Sequence, residues 1–198
     1  MEKALPVAVR FLNKENKEMS RNLASYLSLA AIEYTNLLVP YIDIILRSLL
    51  HGNYSLARVI LQLFELSNEA AIITKIRNII DILPKCETID KNILLQLIAN
   101  IIHSNSTSEV LIIDKLPQIF DLILNASTAQ QALIVLLRLA EKKPSIFHEY
   151  IGLFILTSQK ITNTICIVGQ ILAAIGRRNK EKAHIALEFI MENLPRTD

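Results

Sequence analysis

The sequence predicts an all-α fold of about eleven helices stacked as repeating pairs, and three observations carry that prediction. Apolar residues fill 52% of the 198 positions, yet aromatics are only 6% and Trp is absent, so the excess is Leu, Ile, Ala and Val. Four Gly and six Pro punctuate the whole length, too little turn chemistry for a sheet protein of this size. No segment sustains the alternation of a half-buried strand, whereas apolar residues at i, i+3, i+4 and i+7 recur throughout.

Helices are expected near 4–13, 17–33, 37–51, 54–66, 69–83, 90–104, 109–125, 128–142, 145–159, 162–177 and 180–193. In the second of these, Leu23, Leu27, Ala30, Ala31 and Tyr34 follow one helical face. Leu29 and Ile32 lie off that face, and only a narrow stripe at Asn22, Ser25 and Glu33 is polar. Such a helix is expected to have neighbours on more than one side. The separators carry turn and cap chemistry: Gly52-Asn53, Ser67-Asn68, Pro84 to Thr88, Pro144 and Asn179. Ser106 with Glu109, and Ser127 with Gln130, match the spacing of a capping box, in which side chains satisfy the free amides of a helix start.

The helices repeat. VPYIDIIL (39–46) aligns with LPQIFDLIL (116–124), each with proline in the first turn, and NIIDIL (78–83) fits the same slot. Asp43, Asp81 and Asp121 then recur at intervals of 38 and 40. A short polar turn and a second apolar helix follow each time, as in SLARVILQLFEL, NILLQLIANII, AQQALIVLLRLA and ICIVGQILAAI. A helix–turn–helix unit of this length is the signature of a HEAT or armadillo-type array. The expected architecture is therefore a right-handed α-solenoid forming one domain over 1–198. Its units lie near 4–34, 35–67, 68–105, 106–143 and 144–178, with a final helix at 179–194.

Several function classes lack their residues. The charge-free stretch 161–176 is shorter than the ~18–20 apolar residues a bilayer crossing needs and carries Thr162, Asn163, Thr164 and Gln170. The N-terminus has no signal-peptide pattern, and a net charge of +2 argues for neither nucleic acid nor a membrane surface. A soluble, cytoplasmic chain is the expectation. Cys86 and Cys166 stand apart in no metal-binding or redox motif, and read as reduced thiols. His51, His103, His148 and His184 fall in four different units, without the i, i+4 spacing of a helical metal site. No glycine-rich phosphate loop and no nucleophile motif is present, and Glu15, Glu18 and Glu33 read as a solvated helix edge. No catalytic residue, metal or cofactor is expected, and the chain reads as a non-enzyme. The densest basic cluster is Arg177, Arg178, Lys180 and Lys182, with Glu181 among them. Its first members suit the negative end of helix 162–177, as Arg138, Lys142 and Lys143 suit the helix before it, and Asn179 suits the next N-cap.

The stretch LPVAVRFLNKENKEMSRNLASYLSLAAI (5–32), followed by LL (37–38) and GNYSLARV (52–59), resembles the N-terminal region of the Melted family, which includes the ventricular zone-expressed PH domain-containing proteins. The likeness is tight over about residues 5–65 and continues beyond as helical layout. It implies an armadillo-type N-terminal region in an adaptor of growth-factor signalling, in the insulin/PI3-kinase branch. In the full-length family, a PH domain would bring such an adaptor to phosphoinositide-bearing plasma membrane. This chain, ending at LPRTD, is expected to hold no PH domain of its own, so lipid recognition does not transfer to any of its residues.

The expected function is a non-catalytic scaffold whose second helices line an extended face for a protein partner segment. The candidate ridge is Asn22, Ser25, Arg58, Gln62, Gln96, Asn100, Gln131 and Arg138. The competing reading for each is a hydrogen bond within the stack. The alternative function is a membrane-peripheral module that meets an anionic surface through the basic cluster near Arg177.

Overall fold

A computed structural model describes residues 4–12, 17–67, 70–105, 107–177 and 179–193. Among these residues every regular element is helical and no strand occurs. Ser106, Arg178 and Glu15 lie outside the described residues. The chain forms two compact units, Met1–Ile101 and Ile102–Asp198, and the division falls just before the expected repeat boundary at 105/106.

The first unit holds α1 (Ala4–Phe11), α2 (Lys17–Glu33), α3 (Thr35–Leu38), α4 (Ile42–Leu50), α5 (Ala57–Ser67), α6 (Ala70–Thr74) and α7 (Ile76–Ile82), and most of α8 (Thr88–Ser104). The expected helix 37–51 is thus interrupted by a 3-10 turn at Val39–Tyr41 containing Pro40. Proline is tolerated there because its missing N–H falls where no helical bond is due. Helix 69–83 is divided at Lys75. Helix α2 packs on α1, α3 and α5 through its buried Leu27, Ala30 and Ala31. Each fully buried Leu or Ile adds ~1.5–3 kcal/mol relative to exposure. Leu29 and Ile32, however, are 68% and 60% exposed, so α2 is covered on one broad side and is not enclosed as its composition suggested.

Helix α4 ends in a Schellman motif. The Asn53 N–H donates to Ser48 O and the Gly52 N–H to Leu49 O, both at 3.1 Å, which are the two bonds of that motif. Gly52 takes φ of 113°, a region that only glycine enters without strain. The chain turns sharply there and enters α5 through a 3-10 turn at Tyr54–Leu56, which packs against both α2 and α4.

The second unit holds α9 (Leu116–Ile123), α10 (Ala129–Lys142), α11 (Ile151–Lys160), α12 (Ile165–Gly176) and α13 (Lys180–Asn193). The expected helix 109–125 is α-helical only from Leu116, and two 3-10 turns precede it. Helix α12 packs against α10, α11 and α13, which accounts for a sequence that is apolar nearly all round. Phe120, Phe147, Tyr150 and Phe154 form an aromatic cluster, with Phe120 and Tyr150 stacked at 4.3 Å. The capping-box expectation at Ser127 is corrected: Thr128 is the N-cap residue of α10 and makes no side-chain cap bond. Its hydroxyl donates backward to Leu122 O at 2.7 Å, while the Ser127 amide and hydroxyl donate to Asn125 Oδ1. Asn179 does cap α13, accepting from the Lys182 amide at 3.2 Å. Lys142 donates its ammonium to the carbonyls of Ile102 and Asn105, neutralising free acceptors at a helix C-terminus.

Candidate interaction surface

Six of the eight ridge residues fall in the first unit, on α2, α5 and α8. The Ser28 hydroxyl donates to Gln62 Oε1 at 2.9 Å, and Asn100 Nδ2 donates to Glu65 Oε1 at 3.0 Å. These two bonds link the three helices in the order α2, α5, α8. Toward their N-termini, Ser20 and Arg21 of α2 line the same cleft as Tyr54 and Ser55 ahead of α5. With Ser28 opposite Gln62 further on, the offset between facing residues stays near 34, so α2 and α5 run parallel.

Asn22, Ser25, Arg58 and Gln96 are exposed, and Gln62 and Asn100 are half-buried. Gln62 and Asn100 therefore each engage a neighbouring helix, Gln62 in a part-buried bond and Asn100 in an exposed one, while the other four are exposed. Leu29 and Ile32 of α2 and Leu66 of α5, which is 58% exposed, give the C-terminal part of this surface an apolar character. In the second unit Gln131 and Arg138 are half-buried on α10, and Arg138 pairs with Glu141 at 3.2 Å. Arg177 and Lys180 are exposed, Lys182 is half-buried, and the Asn179 cap lies between them.

At the N-terminal end of α2 and α5 the first unit opens into a cleft of about 630 Å³. Its charged lining comes from three segments: Arg21 on α2, Arg47 and His51 at the end of α4, and Lys85, Glu87 and Asp90 ahead of and within the first turn of α8. Arg21 bonds Glu87 at 3.2 Å, both well exposed. Burial raises the Asp90 carboxyl above its ordinary range, and Glu87 pushes the same way. Arg21 and Arg58 oppose both. Beside it the Cys86 thiol is buried and donates to Ile82 O at 3.3 Å, and burial, with Asp90 acting in the same direction, holds its pKa up at about 12. That is an inert thiol. Sequence reading passed over this cleft because its cations are scattered singly at 21, 47 and 85. One signal was available: Ser20, Arg21, Gly52, Asn53, Tyr54 and Ser55 all come from the two stretches that carry the family resemblance.

Among the described residues no group of three or more His, Cys, Asp and Glu could hold a metal, and no helix is long and apolar enough to cross a membrane. The chain is similar to Melted of Drosophila melanogaster, with 36% identity over 98% of its own length and 19% of that protein. It is similar to the human ventricular zone-expressed PH domain-containing protein homolog 1, with 26% identity over 96% of the chain and 23% of the relative. The rat homolog stands at 25% with the same coverage. The chain thus spans about a fifth of the length of these relatives. No family model matches it, and no solved structure does.

Proposed function

The chain corresponds to an N-terminal region of the Melted family, and from that premise we propose that it is a non-catalytic protein-interaction region of the adaptor type. Its helix pairs are read as HEAT/armadillo-type repeats of an α-solenoid. In this reading the second helices carry a partner segment, while membrane recruitment and a place in insulin/PI3-kinase growth signalling belong to the full-length family. The observation that supports the reading is the linked surface of α2, α5 and α8. Ser28–Gln62 and Glu65–Asn100 hold its helices together and leave Asn22, Ser25, Arg58 and Gln96 directed outward. Rigid helices presenting adaptable polar groups beside exposed Leu29, Ile32 and Leu66 suit an extended or helical peptide, with apolar anchors for affinity and amides for register.

Charge reversal at Arg58 and Arg138, singly and together, tests this reading by co-precipitation from cell lysate with the thermal midpoint measured in parallel. A partner held by the unmodified chain and released by Arg58→Glu at unchanged stability is the expected outcome. A partner set identical in all variants rules the ridge out. The anionic-surface alternative is checked by vesicle co-sedimentation with Lys180→Gln and Arg177→Gln. Salt-sensitive binding that these variants abolish, with no partner released by the ridge variants, would replace the scaffold reading with it.

A further inference from the structure

We propose that the cleft between the starts of α2, α5 and α8 is a phosphomonoester site, accepting the phosphorylated side chain of a protein segment. The protein source rests on the ridge reading above, since the cleft opens at the N-terminal end of that ridge. The phosphate chemistry rests on the cleft alone. Its charges fall into two sets. Arg21 is engaged by Glu87 at 3.2 Å, and Asp90 feels Arg21 and Arg58 as opposing positive charges. Arg47 and Lys85 line the same space and enter no ion pair among the described residues. Two cations with no ion pair among the described residues, in a cleft that Glu87 and Asp90 also line, match a group carrying about −1.5 to −2 charges near neutrality, and a guanidinium presents the fork that phosphate oxygens accept bidentately.

His51 stands one helical turn beyond Arg47, and its Nδ1 lies 2.7 Å from Arg47 O. A carbonyl can only accept, so Nδ1 carries the hydrogen, which leaves Nε2 of the neutral ring as an acceptor for a P–OH hydrogen or for a donor on the incoming segment, with the phosphate oxygens left to Arg47 and Lys85. The wall that carries these groups is held by the Schellman turn at Gly52 and by Ser48, whose hydroxyl donates to Leu12 O at 3.2 Å. Arg47 and His51 are thus mounted on a fixed helix end, which limits the ordering cost of binding. A volume of about 630 Å³ exceeds a phosphate and leaves room for the side chain that bears it. A carboxylate would meet only half the available charge, and Glu87 and Asp90 would repel a longer acidic run.

The test is titration of the whole chain with O-phosphoserine, serine and inorganic phosphate at constant ionic strength, followed by amide chemical shifts. Expected are saturable shifts at Ser48, Gly52, Asn53 and Lys85 with both phosphates and none with serine. Arg47→Gln combined with Lys85→Gln should weaken phosphoserine binding by at least about tenfold at an unchanged melting curve. Gln96→Glu on the ridge should leave it within about twofold. Shifts confined elsewhere, or affinity indifferent to the double variant, overturn the site. Cleft-dependent binding to vesicles containing phosphatidylinositol 4-phosphate, with no response to phosphoserine, overturns the protein source. A ridge that fails its own co-precipitation test while phosphoserine still binds leaves the phosphate site standing and removes the scaffold reading together with the protein source that rests on it.

Discussion

The Ser28 hydroxyl and the Gln62 side-chain oxygen meet at 2.9 Å across 34 residues of chain, joining the parallel helices α2 and α5. Ser28 is only 9% exposed, so its partner cannot be replaced freely by water. Ser28→Ala is expected to cost about 1 kcal/mol. Combining it with Gln62→Ala should add clearly less than the two single effects summed, because both remove one bond. Denaturant midpoints of the four proteins in that cycle check this, and strict additivity would mean that the bond contributes nothing in solution.

Gly52 should resist substitution for a reason unrelated to space. A Cβ there meets nothing within 4 Å, yet φ of 113° places any other residue in strain worth about 1–3 kcal/mol. Gly52→Ala is expected to lower the thermal midpoint and to disturb the amide resonances of Asn53 and Tyr54. An unchanged midpoint would show that the Schellman turn is not formed as described.

The two glycines of α12 should behave oppositely. A Cβ on Gly169 would touch Ile190 and Phe189 at an ordinary 3.8 Å, so Gly169→Ala should stabilise by about 0.5–1 kcal/mol through lost unfolded-state freedom. A Cβ on Gly176 would come 2.7 Å from the Ala183 Cα and 3.1 Å from its N. Backbone atoms cannot rotate aside, so Gly176→Ala should cost about 1–3 kcal/mol. Paired calorimetric scans decide it, and equal shifts of the same sign would mean α12 and α13 do not approach as closely as this.

The two cysteines should be distinguishable by a thiol reagent. Cys166 is exposed and Cys86 is buried, with its pKa raised from 9.0 to about 12. One thiol per chain should react quickly at pH 8, and the second only on unfolding. The linkage has a definite sign. Burial keeps Cys86 protonated in the native state while the unfolded thiol ionises, so its contribution to stability is full below about pH 9. It is lost as pH rises from there toward 12. Cys86→Ala should flatten that part of the stability profile, and an identical alkaline slope in both proteins would contradict the burial of this thiol.

Much of the helix layout was legible in the sequence because local rules decide it. Gly52 marks the stop of α4, Asn179 the start of α13, and the apolar runs from Leu94 to Ile102 and from Val168 to Ile175 mark helices with several neighbours. Periodicity could also place Gln96 and Asn100 on one narrow edge of α8, since residues four apart share a face. The cap at Ser127 was misplaced because Ser127 and Thr128 both offer a hydroxyl, and which one stands at the helix start depends on where Leu122 O lies. Leu29 and Ile32 looked enclosed because composition reports how apolar a helix is, but not how many neighbours reach it.

Other features were decided only by tertiary structure. Whether Gln62 faces solvent or a neighbour depends on the 34-residue offset that brings Ser28 beside it, and a long-range offset is not encoded in any window of adjacent residues. The cleft is the clearest case. Arg21, Arg47 and Lys85 each look in sequence like an ordinary solvated cation, because charge becomes a site only where like charges converge on a space that water and a ligand can share. Helix type and position follow from local torsional and hydrogen-bonding preferences. That Arg21, Arg47 and Lys85 line one cleft depends on contacts between segments more than twenty residues apart, and so required the folded chain.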